Sequence, residues 1–222
     1  MTAALDADRM LALSYVPAKR REAVRGLWRL DAALGAVLAS GGEPMIRRIK
    51  LAWWGEALER LDHAPPPAEP VLQALAEHVL PGGASGAGLA GLAEGWQILL
   101  APDPLGPKEL ATYANKRGGL LFTFSAKMLC QDTPEETKTA GEAWALADLA
   151  RHSGGADACA ALDAAMARVE LLADRRWPGP LRPLGMLAAL AARDVRRGLG
   201  CIEPQGSPSR ALRMLKLRAI GR

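Results

Sequence analysis

Breaks rich in proline and glycine divide this chain into segments whose apolar residues recur at three- and four-residue steps, as along one face of an α-helix. Alanine and leucine dominate the apolar residues, and both lose little side-chain freedom in a helix. The β-branched and aromatic residues that favour strands are scarce. The sequence therefore predicts an all-α fold. Its short, evenly spread breaks favour a single helical bundle of about eight helices over residues 1–222.

The segments with helical spacing are separated by breaks of different kinds. They cover about residues 6–15, 19–39, 43–62, 71–80, 89–100, 108–130, 134–153, 156–177, 184–198 and 208–222. The break HAPPPAEP, residues 63–70, is predicted to be extended, because proline removes backbone donors and disfavours helix in the preceding residue. The glycine-rich stretch PGGASGAG, residues 81–88, is expected to be a flexible joint. Pro44 is expected in the first turn of the third helix.

Charge and cysteine content argue against several classes of function. The formal net charge is +4 and acids are interspersed with bases, which argues against a nucleic-acid-binding protein. Cys130, Cys159 and Cys201 form an odd, widely spaced set, so we expect a reducing interior and neither a disulfide framework nor a zinc site. The sequence predicts no secretory signal and no window near the roughly 20 apolar residues of a membrane span. We expect a cytoplasmic protein, with peripheral attachment at the inner membrane left open.

The segment EPMIRRIKLAWWGEALERLD, residues 43–62, holds two adjacent tryptophans in a chain with only 5% aromatic residues. Its spacing predicts a buried stripe, which consists of Ile46, Ile49, Trp53 and Ala57 and is widened by Trp54, Leu58 and Leu61. Charged residues occupy most of the other side. Two interpretations of the tryptophan pair stay open: packing in the core of a bundle, or the wall of an apolar cavity between helices.

Four segments together resemble the squalene/phytoene synthase family, all-α enzymes that join two prenyl diphosphates head to head. The first two are SYVPAKRREAVRGLWRLDAAL and IRRIKLAWWGEALERLD, the latter followed by its proline-rich break. The third, KELATYANKRGGLLFTFSAKMLC, is similar to a family helix with a tyrosine and paired small residues. The fourth, GEAWALADLARHS, stands where the family carries its second metal-binding helix. The resemblance covers about residues 10–153 and implies an isoprenoid-synthase-like fold.

The chemistry of that family requires Mg²⁺ on the diphosphate and carboxylates on the Mg²⁺. Acids three and four residues apart on two facing helices make such a clamp. In LWRLDAALGAVLAS, where the first acidic motif is expected, Asp31 is the only acid. In ALADLARHSGGADA, Asp148 stands at an asparagine-like position, Arg151 is kept and His152 replaces the first aspartate. Because the clamp is incomplete on both helices, no catalytic residue, metal site or cofactor is predicted.

Among members of the family, the sequence resembles short, aspartate-poor proteins such as the mitochondrial assembly factors for respiratory complex I. The ending LRMLKLRAIGR is similar to theirs, and the region after Gly154 has no obvious counterpart in active synthases, which are longer. We expect a non-catalytic protein that binds an apolar or isoprenoid chain, or assists respiratory complex assembly near the membrane. One alternative is an active Mg²⁺-dependent prenyltransferase, with a clamp drawn from Asp31, Asp148, Asp157 or Asp163. Another, a plain helical interaction module, leaves the four segments unexplained.

The candidate ligand-binding residues lie on three of the resembling segments. They are Trp53, Trp54, Tyr113, Asn115, Arg151, Asp148 and Arg47. The expected partners are an isoprenoid or lipid ligand, an anionic membrane surface and subunits of a respiratory complex, and no nucleic acid. The basic segment 208–222 predicts either a helix that rests on anionic membrane or a terminal helix that docks on the bundle.

Overall fold

The structure is a computed structural model that describes residues 4–101, 104–172 and 175–222. Within these ranges the regular structure is helical and no strand occurs, so the all-α prediction is confirmed. The helices are α1 Ala7–Ser14, α2 Ala18–Ala39, α3 Pro44–Arg60, α4 Pro70–His78, α5 Gly86–Ile98, α6 Pro107–Tyr113, α7 Leu120–Leu129, α8 Glu136–His152, α9 Gly155–Leu171, α10 Arg182–Arg197 and α11 Pro208–Ile220. A π-helical segment, Ala114–Gly119, joins α6 to α7 without a break, so the number of continuous helices is close to the eight expected.

Local sequence signals explain where several helices begin. Proline occupies the first turn of α3, as predicted for Pro44, because its missing N–H would have no helical partner there. Asp6 caps α1 by accepting a hydrogen bond from the Arg9 backbone N–H at 2.8 Å. These starts follow from chemistry that can be read in a few consecutive residues.

The expected flexible joint at 81–88 is partly wrong, because its last three residues form the first turn of α5. The Asp62 carboxylate accepts hydrogen bonds from the backbone N–H groups of Gly86 at 2.6 Å and Ala87 at 2.9 Å. A β-carbon on Gly86 would clash with the Leu58 carbonyl. The glycine therefore permits close contact between the start of α5 and the end of α3, which the sequence pattern alone did not show.

The core consists of two hydrophobic clusters that meet at Trp144 of α8. The larger cluster is formed mainly by α1–α5, α7, α10 and α11 and includes Trp28, whose indole N–H donates to the Ser125 hydroxyl at 3.1 Å. The smaller cluster lies between α6, α8, α9 and α10. Gly118 and Gly141 bring the π segment and α8 into backbone contact, because a β-carbon on either would clash with the carbonyl of the other.

The buried face of α3 differs from the apolar stripe that the sequence predicted. Trp54, Ala57, Leu58 and Leu61 lie in the core together with Leu51, but Ile46, Ile49 and Trp53 are 50%, 61% and 42% exposed. These buried residues run from Leu51 to the C-cap residue Leu61, and the end of the helix packs on the start of α5. Ile46, Ile49 and Trp53 extend the helical periodicity without entering the core, so periodicity misjudged which face is buried.

An ion network connects the two ends of the chain. Arg210 of α11, which is 4% exposed, donates to Asp8 of α1 at 2.9 Å and to Asp194 of α10 at 2.7 Å. Arg151 of α8 donates to the same Asp194 at 2.8 Å and to the Glu203 carbonyl oxygen at 2.8 Å. The network joins α1, α8, α10 and α11. No helix in the described ranges combines the length and apolar character needed to cross a membrane.

Candidate functional site

A fully buried carboxylate on α2, Asp31, is the centre of the candidate site. It accepts hydrogen bonds from Arg117 at 2.9 and 3.1 Å, from Arg9 at 2.9 Å, and from the Trp96 indole N–H at 3.0 Å. A buried charge is tolerated when it is paired and hydrogen-bonded. With four donors on its two oxygens, Asp31 has most of its acceptor capacity filled by the protein itself.

Arg117 connects this carboxylate to a second one. Its guanidinium, 2% exposed, lies 2.8 Å from an oxygen of Asp148 on α8 and also hydrogen-bonds the Tyr113 hydroxyl. The guanidinium carbon lies 4.1 Å from the ring centroid of Trp96 and 4.9 Å from that of Trp144. Aromatic faces attract a cation at these distances. Arg117 is thus a buried cation held between two carboxylates and two indoles.

The π segment sets the position of Arg117. Gly95 of α5 faces it, and a β-carbon there would lie 2.8 Å from the Arg117 backbone nitrogen. Gly118 contacts Gly141 of α8 on the other side. Two close backbone contacts therefore hold the segment between α5 and α8. A π turn inserts one residue into a helix and so changes the direction in which the following side chains point. Such turns are frequent at functional sites.

Burial and charge act in opposite directions on the pKa values of this cluster. Burial alone would raise the pKa of Asp31, but the charges of Arg117 and Arg9 and the hydrogen bonds from Arg117 and Trp96 outweigh it, and the pKa is lowered. Burial would lower the pKa of Arg117, yet Asp31, Tyr113 and Asp148 raise it well above its ordinary value. Burial also raises the pKa of Tyr113. At neutral pH the carboxylate and the guanidinium are both charged and Tyr113 is neutral.

A cavity of about 690 Å³, here called the central cavity, opens beside this cluster. Its volume is within the range of small-molecule pockets. Leucines from several helices, among them Leu38, Leu99 and Leu149, form its apolar wall. Besides Tyr113, which is neutral, the ionisable groups in the described part of its lining are Asp6, Asp31, Asp148, Asp157, Arg9, Arg117 and His152. With the histidine neutral, four carboxylates face two guanidinium groups, which leaves the lining with two formal negative charges.

The structure brings together only some of the predicted binding residues. Tyr113 and Asp148 line the cavity with Arg117 between them. Asn115 is half-buried on the π segment, with its side-chain oxygen near Gly119. Arg151 lies one turn from Asp148 and is ion-paired with Asp194 at 2.8 Å.

The other three predicted residues lie on α3. Trp54 is buried in the larger cluster, whereas Trp53 is exposed and Arg47 is partly exposed. In the described part of the chain, α3 supplies none of the cavity's lining residues. A ligand-binding role for Trp53, Trp54 and Arg47 therefore stays a prediction without a contact to support it.

Sequence reasoning missed Arg9, Trp96 and Trp144, which complete the site around Arg117. Each belongs to a different helix, and the separations between partners, 22 residues for Arg9 and Asp31 and 65 for Trp96 and Asp31, leave no local spacing to detect. A usable signal lay in the composition of the segment around Arg117. Arg117 lies between Tyr113 and a glycine pair in a helix that is otherwise mostly apolar from Leu120 onward, and a buried arginine requires a carboxylate partner.

The residues present do not fit the Mg²⁺ that head-to-head prenyl transfer would need. In the described ranges no three His, Cys, Asp or Glu side chains converge as a metal-binding group. Asp31 and Asp148 already accept hydrogen bonds or ion pairs from arginine. Asp157 accepts from the Leu105 backbone N–H at 3.2 Å, and Asp163 lies exposed on α9. Asp31 and Asp148 are therefore compensated by guanidinium groups rather than arranged as open oxygen ligands.

The fold superposes on the crystal structure of a dehydrosqualene synthase in complex with ligand, with a TM-score of 0.71 over 96% of this chain and 90% of that chain. At 14% sequence identity this likeness establishes an all-α fold of the isoprenoid synthase type. The model of the squalene/phytoene synthase family matches residues 2–157, and the chain belongs to that family. No curated protein matches the sequence.

The superposition corrects one expectation about the C-terminal third. The sequence showed no counterpart for the region after Gly154, but an alignment over 96% of the chain includes most of it. Helices α9 to α11 therefore belong to the shared fold. The match to the family model ends at residue 157, whereas the likeness in fold continues beyond it.

Proposed function

We propose that this family member binds an isoprenoid chain with an uncharged head group in the central cavity and does not ionise prenyl diphosphates. The observation that supports this proposal is the position of Arg117, which is ion-paired to both Asp31 and Asp148. These are the carboxylates that stand at or beside the family's two acidic motifs. Arg117 between them and Arg9 on Asp31 together compensate their charge and leave few oxygen lone pairs for a divalent cation.

The charge of the cavity supports the choice of head group. A diphosphate carries several negative charges, and the described lining already holds an excess of two carboxylates. Without a metal between them, like charges in a partly buried site repel strongly. An alcohol or quinone head avoids that repulsion and can accept or donate hydrogen bonds at the polar end. The leucine wall would hold the apolar chain.

The test compares two ligands with one chain length. Purified protein is titrated with farnesol and with farnesyl diphosphate, and pyrophosphate release from the diphosphate is followed in Mg²⁺. We expect farnesol to bind, the diphosphate to bind at least tenfold more weakly, and no enzyme-dependent pyrophosphate release. Robust turnover that disappears in both Asp31→Asn and Asp148→Asn, with helical content retained, contradicts the proposal and establishes the alternative, an active prenyltransferase.

A cavity-filling variant locates the binding. Ala32 of α2 lines the cavity, so Ala32→Phe places a ring in the space proposed for the chain. Ala87, exposed on the first turn of α5, gives the matched control Ala87→Phe. We expect Ala32→Phe to weaken farnesol binding at least tenfold and Ala87→Phe to leave it unchanged. Equal affinity in the two variants excludes the central cavity as the site.

We also propose that the physiological role is assistance in respiratory complex assembly near the membrane. The support is the resemblance to aspartate-poor family members, together with a site in which Asp31 and Asp148 are ion-paired within the protein. A deletion strain is expected to lose respiratory complex I while its isoprenoid content stays unchanged. The opposite result, intact complex I with altered isoprenoids, supports the prenyltransferase.

A further inference from the structure

A second cavity, of about 400 Å³, lies at the end of α9 and between α10 and α11, and it shares no lining residue with the central one. Its floor is apolar and includes Trp177, Leu217 and Ile220. Five cations line it: Arg175, Arg196, Arg213, Lys216 and Arg222. The described lining contains no Asp or Glu side chain. An apolar floor under a set of cations differs from the carboxylate-rich lining of the central cavity.

The spacing of α11 explains why cations and apolar residues face the same space. Arg213, Lys216, Leu217 and Ile220 follow one another at steps of three, one and three residues, so they share one face of the helix. Leu217 is buried against the bundle, whereas Lys216 and Ile220 are exposed. Helix α11 is therefore docked on the bundle, one of the two outcomes left open by the sequence, and still presents cations at the rim of a cavity.

The walls of this cavity are fixed by contacts within the protein. The Trp177 backbone N–H donates to the Gly221 carbonyl at 2.7 Å, and Arg182 donates to the Arg218 carbonyl at 2.8 Å. The Trp177 indole lies against Gly185, where a β-carbon would come within 2.5 Å of the ring. Because the floor and α11 are tied together, a ligand would meet a cavity that is already formed.

Most of the cations at the rim have no acidic partner in the described parts of the chain. Arg175 is ion-paired with Glu136, but none of the described ion pairs involves Arg196, Arg213, Lys216 or Arg222. A cation in the last turn of a helix, such as Arg196, is stabilised by the helix dipole. That effect does not explain why four more converge on the same apolar floor. Such an arrangement attracts an anion attached to an apolar chain.

We propose that this second cavity binds an anionic amphiphile, an apolar chain that ends in a phosphate or carboxylate. The cations would hold the head group by charge-assisted hydrogen bonds, and Trp177, Leu217 and Ile220 would contact the chain. The same chemistry occurs in an acidic phospholipid of a bilayer and in a free alkyl phosphate. This inference does not depend on the function proposed for the central cavity, because the two cavities have separate linings.

The test uses dodecyl phosphate as the probe and the full-length protein. Arg213→Gln with Lys216→Gln removes two rim cations, and Lys19→Gln with Arg20→Gln removes two exposed cations of α2 as a control with the same change in net charge. We expect the rim variant to bind at least tenfold more weakly in calorimetry and the control to bind like the original protein. Equal weakening in both variants, or equal affinity for dodecanol, overturns the proposal.

A second arm distinguishes the two sources of the head group. Vesicles of phosphatidylcholine with and without phosphatidylglycerol are sedimented with each variant. Capture by the acidic vesicles only, lost in the rim variant, identifies a bilayer phospholipid as the source. Binding of dodecyl phosphate without capture by vesicles identifies a free amphiphile. If neither probe binds, the proposal is wrong, while farnesol binding to the central cavity is unaffected by that result.

Discussion

The central and C-terminal cavities both combine apolar walls with arginines, but they differ in what surrounds the charge. In the central cavity Arg117 is buried and Arg9 is partly buried, and carboxylates neutralise both. In the C-terminal cavity the cations lie at a rim, and most have no acid nearby in the described chain. Charges that are compensated internally stabilise a structure, and charges left uncompensated are available to a ligand. The comparison predicts that substitutions at the two sites affect different measurements.

Removal of the Arg117 side chain is expected to have the largest effect. Arg117→Ala leaves Asp31 and Asp148 without their shared partner, and breaking a buried ion pair costs about 3–5 kcal/mol. Urea denaturation followed by circular dichroism measures the change in free energy of unfolding. Arg213→Ala at the rim is the matched control and should change it by less than about 0.5 kcal/mol. Similar losses in the two variants would remove the distinction between the cavities.

The glycine contact that positions Arg117 gives the next largest effect. Gly118→Ala pushes a methyl group into the backbone of α8, and such overpacking costs about 1–3 kcal/mol. Gly55→Ala is the control, because no atom lies within 4 Å of a β-carbon there and an alanine favours the helix by about 0.5–1 kcal/mol. We expect opposite signs in thermal unfolding. A neutral Gly118→Ala would show that the π segment tolerates displacement.

The smallest effect concerns pH and the loop before α11. Hydrogen bonds from Ser209, Arg197 and Ser207 lower the pKa of Glu203 to about 2 from its ordinary 4.5, although desolvation opposes them. A lowered pKa in the folded state means that the stabilisation is complete above pH 4.5 and is lost as pH falls towards 2.

Glu203→Gln should therefore reduce stability near pH 7, and the difference from the original protein should disappear towards pH 2. Urea midpoints measured between pH 2 and 7 follow this change. Glu170→Gln, at an exposed carboxylate of α9, is the control and should show no such convergence. A constant difference between Glu203→Gln and the original protein at all pH values would contradict the assignment.

Helix positions and the family could be predicted from the sequence because both depend on local patterns. Proline and glycine breaks end helices within a few residues, and the four resembling segments are each continuous in the chain. The scarcity of acids near Asp31 and Asp148 could also be read directly. The buried face of α3 could not be predicted, because a helix with apolar residues on more than one side gives no sign in its own sequence of which side packs on α5.

The composition of the site was beyond sequence reasoning for a different reason. Asp31 meets Arg117 across 86 residues and Trp96 across 65, and these contacts exist only once α2, α5 and the π segment have packed together. A single sequence contains no record of such pairing. The π segment at Ala114–Gly119 could not be predicted from the sequence either, because its residues are ordinary helix formers and glycines. Close contacts with α5 and α8 impose the wider π-helical turn.

The tethered guanidinium of Arg117 has a consequence for how such a chain can change over generations. If the proposed function holds, Mg²⁺-dependent chemistry in this cavity would require loss of this arginine and gain of new acids on α2 and α8. Each substitution made alone would leave an unbalanced charge in the interior, so intermediate sequences would fold poorly. Under the proposed function, a sequence with this arginine and a sequence with a metal clamp are therefore separated by intermediates of lower stability, so that several replacements must occur together.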